Sequence, residues 1–358
     1  MDKRIVVLGG DGVGPDVCDV ACNILENLKL GFEILKPPCG ESAIDQYGAP
    51  FPAQTRALCE QVDAVLFGAA GAFSSDIVNF LRWGLDNYIN IRPIKYYPGA
   101  RSPLKDPEGI DVVILRENSE GFYPPGREGD ISQLAEKWPD WKDKLLGRHF
   151  IEYGRGKFAI RIITEQGVSR LIKFACEFAE MRKERGYPGK LTLSTKSNVL
   201  KESCGLVQGI VEVEIKQHPD LIYEHFFIDD MCRRMMRYPK EMDVIVTTNM
   251  FGDILSDEAA ELIGGLGMAP SACIGGKTPY FEPVHGSAPK YAGKNVINPT
   301  AMILSVKMML DHLGMAHEAD ALEKAVADIY LDGRYLTQDQ GGRTTTTEFE
   351  QAVLLKLR

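Results

Sequence analysis

What this chain lacks removes several classes of protein at once. No apolar run approaches the roughly 20 residues that a bilayer-spanning helix requires, and the longest, such as Ile5-Val6-Val7-Leu8 and Val244-Ile245-Val246, would fill one strand each. No signal-peptide core precedes the strand-like stretch that follows Met1-Asp2-Lys3-Arg4, which predicts a cytoplasmic protein with no membrane partner. The 8 cysteines contain no Cys-x-x-Cys pair, so neither a disulfide scaffold nor a zinc site is indicated and the thiols read as reduced. Positive charge is in deficit. The 41 basic and 50 acidic residues leave a net charge of −9, whose field repels phosphodiester backbones and argues against nucleic acid as a partner. Repeats are absent too, and the only biased tract is the short Thr344–Thr347 run.

What remains is a globular composition, 44% hydrophobic and 25% charged over 358 residues, a length that predicts two domains. Apolar, β-branched runs at Arg4–Gly9, Phe32–Lys36, Ala64–Gly68, Val112–Arg116, Leu191–Thr195 and Asp243–Thr247 read as strands. Between them Gly14–Leu28, Thr164–Arg185, Lys201–Lys216, Asn249–Gly264 and Asn298–Leu313 carry helical periodicity. The alternation predicts an α/β fold with a largely parallel sheet covered on both faces. It breaks between Pro124 and Arg148, a charged stretch containing Trp138 and Trp141, after which Phe150–Ile163 reads as a hairpin. This excursion is either a subunit clasp or a solvated insertion.

Gly9-Gly10-Asp11-Gly12-Val13-Gly14-Pro15 follows a strand and opens a helix, the setting of a dinucleotide fingerprint. Its spacing is G-x-G-x-G, however, and no acidic ribose ligand ends the next strand, so a tight turn against a ligand or a neighbouring helix is the better reading. Arg82, Arg92 and Arg116 stand near predicted element ends. Each is surface-like alone; together in an acidic protein they match the clamping of a dicarboxylate by planar guanidinium groups. Asp253 and Asp257 lie four apart on a predicted helix, a like-charge pair that either bridges a hard cation such as Mg²⁺ or Mn²⁺ or divides into a cap and a solvated side chain. Asp229 follows an apolar strand and is a possible further ligand. Lys196, in Ser194-Thr195-Lys196-Ser197-Asn198 at a strand's C-terminal end, is a candidate base or a surface lysine.

In combination these segments resemble the β-decarboxylating dehydrogenases, the family of isocitrate, 3-isopropylmalate, homoisocitrate, D-malate and tartrate dehydrogenases. The blocks that carry the likeness are Gly10 to Asp16, Tyr88 to Pro93, Arg116 to Tyr123, Thr195 to Asn198, Asn249 to Asp257 and Glu282 to Thr300. The resemblance implies an isopropylmalate dehydrogenase-like open α/β fold that is not a Rossmann fold. It also implies a discontinuous large cofactor-binding domain from residues 1–97 and 264–358. Residues 98–263 would form a smaller dimerising domain with a clasp-like insertion at 124–163. By the same likeness Arg82, Arg92 and Arg116 hold the malate moiety, with Asp76, Val78 and Asn198 beside them as substrate contacts. Asp229, Asp253 and Asp257 bind the metal, and Tyr123 and Lys196 form the catalytic pair. Lys196 and Asp229 would act across a homodimer interface. His285, Gly286, Ser287, Ala288, Lys290, Tyr291 and Asn298 line the adenosine loop.

Lys290-Tyr291 replaces the aspartate with which NAD-using members accept from the ribose hydroxyls, so NADP is expected, while Thr337 to Gly342 looks more like the NAD branch. Isocitrate users carry a Ser-x-Asn pair where this chain has Asp76 and Val78, and an aspartate repels a third carboxylate. A D-malate or tartrate-like substrate is therefore expected, with isocitrate and 3-isopropylmalate as the alternatives. A different reading, a catalytically silent regulatory subunit of a hetero-oligomer, is disfavoured because every proposed catalytic side chain is present.

Overall fold

A computed structural model describes residues 3–357. The first two residues, which enter the signal-peptide argument, lie outside them. Ten strands form one twisted sheet in the order Glu33–Leu35, Arg4–Gly10, Ala64–Ala69, Tyr280–Pro283, Pro270–Ile274, Ile89–Lys95, Asp111–Glu117, Val244–Thr247, Lys190–Thr195 and Ile222–Phe227. The fold is mixed α/β, and the sheet is parallel toward both edges. At its centre three pairings are antiparallel: Tyr280–Pro283 with Pro270–Ile274, that strand with Ile89–Lys95, and Ile89–Lys95 with Asp111–Glu117. The reason is local, because no helix intervenes within either connected pair and a chain without a crossover can return only antiparallel. Strands from the two ends of the chain interleave on one side, while those between Asp111 and Thr247 occupy the other.

The predicted helix over Gly14–Leu28 forms over those same residues, with Pro15 in its first turn, where a missing N–H costs nothing. It stops at Lys29, which adopts φ 54°. Helix Glu165–Glu184 begins at Thr164, whose hydroxyl accepts from the Gly167 N–H. The threonine run also has a structural use: Thr345 and Glu348 form the reciprocal cap that starts helix Thr346–Lys356. Fully buried Ile5, Leu66, Ile114, Leu193 and Val246 lie along the sheet, which is why these strands read as continuous apolar runs.

The excursion departs from the expected hairpin. Phe150–Tyr153 is a 3₁₀ turn, and Lys157–Ala159 pairs not within its own segment but antiparallel with Glu128–Asp130, ahead of helix Ile131–Lys137. Gly154 at φ 71° and the stacking of Phe150 on Trp141, ring centroids 4.0 Å apart, draw the first half of the supposed hairpin away. Among the described residues no helix is long and apolar enough to cross a membrane.

Candidate active site

The central strands bring two arginines under one helix. Alternation along Ile89–Lys95 turns Asn90 and Arg92 to the same face, and the antiparallel register sets Asn90 opposite Arg116. Arg92 therefore lies inside its strand rather than at an end. Helix Asn249–Leu262 covers this face with Asn249, Asp253, Ser256 and Asp257 in line. It can approach because residue 252 is glycine: a Cβ there would stand 2.7 Å from the Arg116 Cβ. Arg116 donates to Asn249 Oδ1 at 2.7 and 3.1 Å and to Asp253 Oδ1. Arg92 donates to Ser256 Oγ at 2.6 Å, Asp253 Oδ1 at 3.2 Å and Asp257 Oδ1 at 3.4 Å.

Arg82 arrives differently. It sits in the π-helical turn Phe80–Gly84, a widened turn that is uncommon outside functional regions. Its Nε donates to the Tyr280 hydroxyl at 2.9 Å and Nη2 to Glu282 Oε1 at 3.2 Å. Tyr123 donates to Asp253 Oδ2 at 3.0 Å, and its ring centroid lies 5.4 Å from the Arg116 guanidinium. The sequence reading missed Asn90, Asn249, Ser256 and Tyr280. Asn249 was the most accessible of them, being one helical turn before Asp253 on the same face.

The electrostatics of this group are unbalanced. Burial, then the charges of Arg92 and Arg82, pushes Arg116 down to about 9, which still leaves the guanidinium charged at neutral pH. Burial raises the Asp253 carboxyl, but Arg116 and Arg92 outweigh it and hold the group below its ordinary value. Asp257 is raised: burial and the Asp253 charge exceed what Arg92 returns. Arg92 and Arg116 share Asp253 while Arg82 is paired with Glu282, a group of guanidinium donors that can receive an anionic ligand, and the under-compensated Asp257 favours a cation beside it.

Asp229 is not in this cluster. Strand Lys190–Thr195 pairs in parallel with Ile222–Phe227, which sets the turn bearing Lys196 beside the start of helix Ile228–Arg237. There Lys196 Nζ ion-pairs with Asp229, and that hydrogen bond lowers the aspartate's pKa. Among the described residues no hydrogen bond or ion pair joins Lys196 or Asp229 to the arginine group, and no three His, Cys, Asp or Glu side chains converge as a metal cage. One chain thus offers two hard carboxylates to a divalent cation and holds the third apart. The oxygen donors and spacing of Asp253 and Asp257 fit Mg²⁺ or Mn²⁺ as part of a shell. Asn198 is exposed in the same turn as Lys196.

Asp76 is exposed on helix Ser75–Asn79 and lines a hollow of about 470 Å³ with Phe51, Arg56, Asn79, Trp83 and Pro125. Trp83 Nε1 is buried there without an acceptor. Val78 faces elsewhere, packing partly buried on the smaller core cluster.

The glycine loop does not hold a ligand by itself; it supports the second loop. A Cβ on Gly12, whose φ is +59°, would stand 2.0 Å from the Ser287 carbonyl oxygen, and Val13 N–H donates to that oxygen at 2.9 Å. Asp11 fastens the turn by accepting from Phe73 and Ser74 N–H at 3.0 Å and from Glu41 N–H at 3.2 Å. On the supported loop, Gly286 faces open space and Ala288 takes φ 35°. His285 Nδ1 donates to the Gly286 carbonyl at 3.0 Å, which leaves Nε2 a buried acceptor with no partner, and burial lowers the ring's pKa. Lys290 and Tyr291 are exposed, the ammonium 4.7 Å from the ring centroid. An open backbone, an orphaned acceptor and an exposed lysine fit a nucleotide. The Asn298 amide is engaged internally, donating to Asp339 at 2.9 Å and Tyr330 at 3.2 Å, while its oxygen accepts from Thr300 N–H.

The chain as a whole is similar to known proteins. A family profile described as isocitrate/isopropylmalate dehydrogenase matches residues 4–353. The chain is 40% identical to the 3-isopropylmalate dehydrogenase of Archaeoglobus fulgidus, covering 98% of each. It is also 40% identical to the 3-isopropylmalate/3-methylmalate dehydrogenase of Methanocaldococcus jannaschii, covering 99% of each. Among solved structures, isocitrate dehydrogenase from Methylococcus capsulatus superposes with a TM-score of 0.85 at 33% identity over 100% of both chains.

Proposed function

Since the chain belongs to the isocitrate/isopropylmalate dehydrogenase family and is a decarboxylating dehydrogenase of it, we propose that it oxidises and decarboxylates a malate-type (2R)-2-hydroxy acid, of D-malate or tartrate type. The observation that carries this reading is the convergence of Arg82, Arg92 and Arg116 around Asp253 and Tyr123. The arginines bind the two carboxylates of the malate moiety. Asp253 and Asp257, with Asp229 supplied by a second copy of the chain, would hold Mg²⁺ or Mn²⁺, which would supply Lewis-acid polarisation of the substrate hydroxyl. Lys196, also from the second copy, takes the C2 hydroxyl proton directly or through a water. Tyr123, held against Asp253, delivers a proton to C3 after carbon dioxide leaves. The 285–298 loop would hold the nucleotide, which supplies a hydride acceptor when bound, and Lys290 would favour NADP through its 2′-phosphate, with NAD the alternative.

The hollow lined by Asp76 does not by itself separate the substrates, since Arg56 and Trp83 Nε1 in its wall suit a carboxylate and Phe51, Phe80 and Pro125 suit an apolar group. A second reading, 3-isopropylmalate, is favoured by the names of the relatives above. We also read residues 1–97 with 264–358 as one lobe and 98–263 as the other, in keeping with the strand order. The 124–163 excursion then serves as a clasp in a homodimer, a reading supported by its exposed Trp138, Leu145, Leu146 and Ile151. The deciding experiment compares kcat/KM for D-malate, tartrate, 3-isopropylmalate and isocitrate with NADP and NAD, in Mg²⁺ or Mn²⁺. A D-malate or tartrate value at least tenfold above the others supports the proposal, and a higher value for 3-isopropylmalate or isocitrate replaces it.

A further inference from the structure

The sheet face opposite the arginine group is incompletely covered. Ile91, Pro93 and Lys95 project there because Arg92 projects the other way, and the register places Ala272 opposite Ile91 and Val113 opposite Pro93. These residues floor a second cavity of about 620 Å³, within the range of small-molecule sites. Its walls are two helices, Glu165–Glu184 and Thr300–His312, packed on opposite sides of the sheet's centre. None of the proposed substrate, metal or nucleotide residues lines it.

Its polar groups divide into two sets. Most are paired: Lys95 with Glu323 at 2.6 Å, Lys307 with Glu323 at 3.0 Å and Asp311 at 2.9 Å, and Arg182 with Asp111 at 3.2 Å. Arg185 has no ion-pair partner and no side-chain hydrogen bond among the described residues. It follows Met181 by one helical turn and Phe178 by two, so the free guanidinium and the apolar wall share one face. Asp320, on the adjoining helix Ala316–Asp332, is also unpaired among the described residues, and its charge penalises a ligand with more than one negative charge.

We propose that this rear cavity binds an amphipathic organic monoanion, its aromatic or branched body against Phe174, Phe178, Met181 and Met308 and its carboxylate or sulfonate on Arg185. Such a ligand touches both helical walls and the strand that carries Arg92.

The test uses the intact protein and anilinonaphthalene sulfonate, a fluorescent probe of this chemistry. Saturable binding near one probe per chain is expected, with phenylbutyrate competing and phenylbutylamine not. Arg185 is exposed, so Arg185→Ala should weaken binding about two- to fivefold, the scale of an ion pair at a solvated arginine, and Arg185→Lys should recover part of it. Met181→Trp, which fills the cavity, should weaken it at least as much, with an unchanged circular dichroism spectrum showing that each variant folds. Binding that is absent, that is indifferent to both the Arg185→Ala and Met181→Trp changes, or that the amine displaces as well as the acid would overturn the assignment.

Discussion

Tyr123 donates its hydroxyl hydrogen to one oxygen of Asp253 at 3.0 Å while two arginines hold the other oxygen. Burial, then the Asp253 charge, raises the phenol's pKa, so the hydroxyl keeps its proton at neutral pH. Tyr123→Phe removes the proton and little packing, since the ring is more than a third exposed. The expected outcome is a fall in kcat of about 10²- to 10⁴-fold, with a much smaller change in KM. Steady-state kinetics on the substrate that the panel selects will measure both.

Lys196 and Asp229 pair with each other and stand apart from Asp253 within one chain. If two copies complete each site, chains carrying Lys196→Ala and chains carrying Asp253→Asn are each inactive alone. A mixed dimer still assembles one intact site. Refolding the two together should restore roughly a quarter of wild-type activity, from half the dimers with one of two sites each. Mixtures that remain inactive would show that each site is built within a single chain.

Gly12 supports the nucleotide loop through its contact with Ser287. Gly12→Ala places a methyl group against a backbone carbonyl at a positive φ, so the 285–288 loop must shift. The expected effect is a rise of roughly tenfold or more in the nucleotide KM. Binding of Mn²⁺ with substrate, followed by calorimetry without nucleotide, should change little.

Lys290 is exposed and pairs with no carboxylate among the described residues, which leaves it available to a 2′-phosphate. Lys290→Asp should shift the NADP to NAD ratio of kcat/KM toward NAD by about tenfold or more, through loss of one charge pair and gain of an acceptor for ribose. An unchanged ratio would remove this residue from the cofactor argument.

Glu323 offers a pH test away from the chemistry. Burial alone would raise its pKa, but Lys307 and Lys95 outweigh burial and lower it from 4.5 to about 2. A depressed carboxyl contributes stability above its unfolded value, and that contribution is lost as pH falls through the folded one. The shift corresponds to something on the order of 3 kcal/mol. Urea unfolding of wild type and Glu323→Gln should show a stability gap that is full at neutral pH and narrows between 4.5 and about 2.

Much of this architecture was readable in the chain. Periodicity placed helix Gly14–Leu28, and spacing put Asp253 and Asp257 on one face of another. The glycine loop was correctly judged a close-approach turn, though its neighbour proved to be the Ser287 backbone. Phe150–Ile163 misled because an antiparallel strand was assigned a partner from its own segment, whereas Glu128–Asp130 lies nearer in space.

By itself the sequence determined the elements, the order of the motifs and the chemistry available, because hydrophobic period and residue type are local properties. Only the tertiary structure decided that Arg92 and Arg116 share Asp253, that Asp229 stands away from it with Lys196, and that the strand carrying Arg92 also floors a cavity behind it. Those facts depend on strand register and on which helix covers which face. Register is set by the packing of residues far apart in the chain, and no local pattern encodes it.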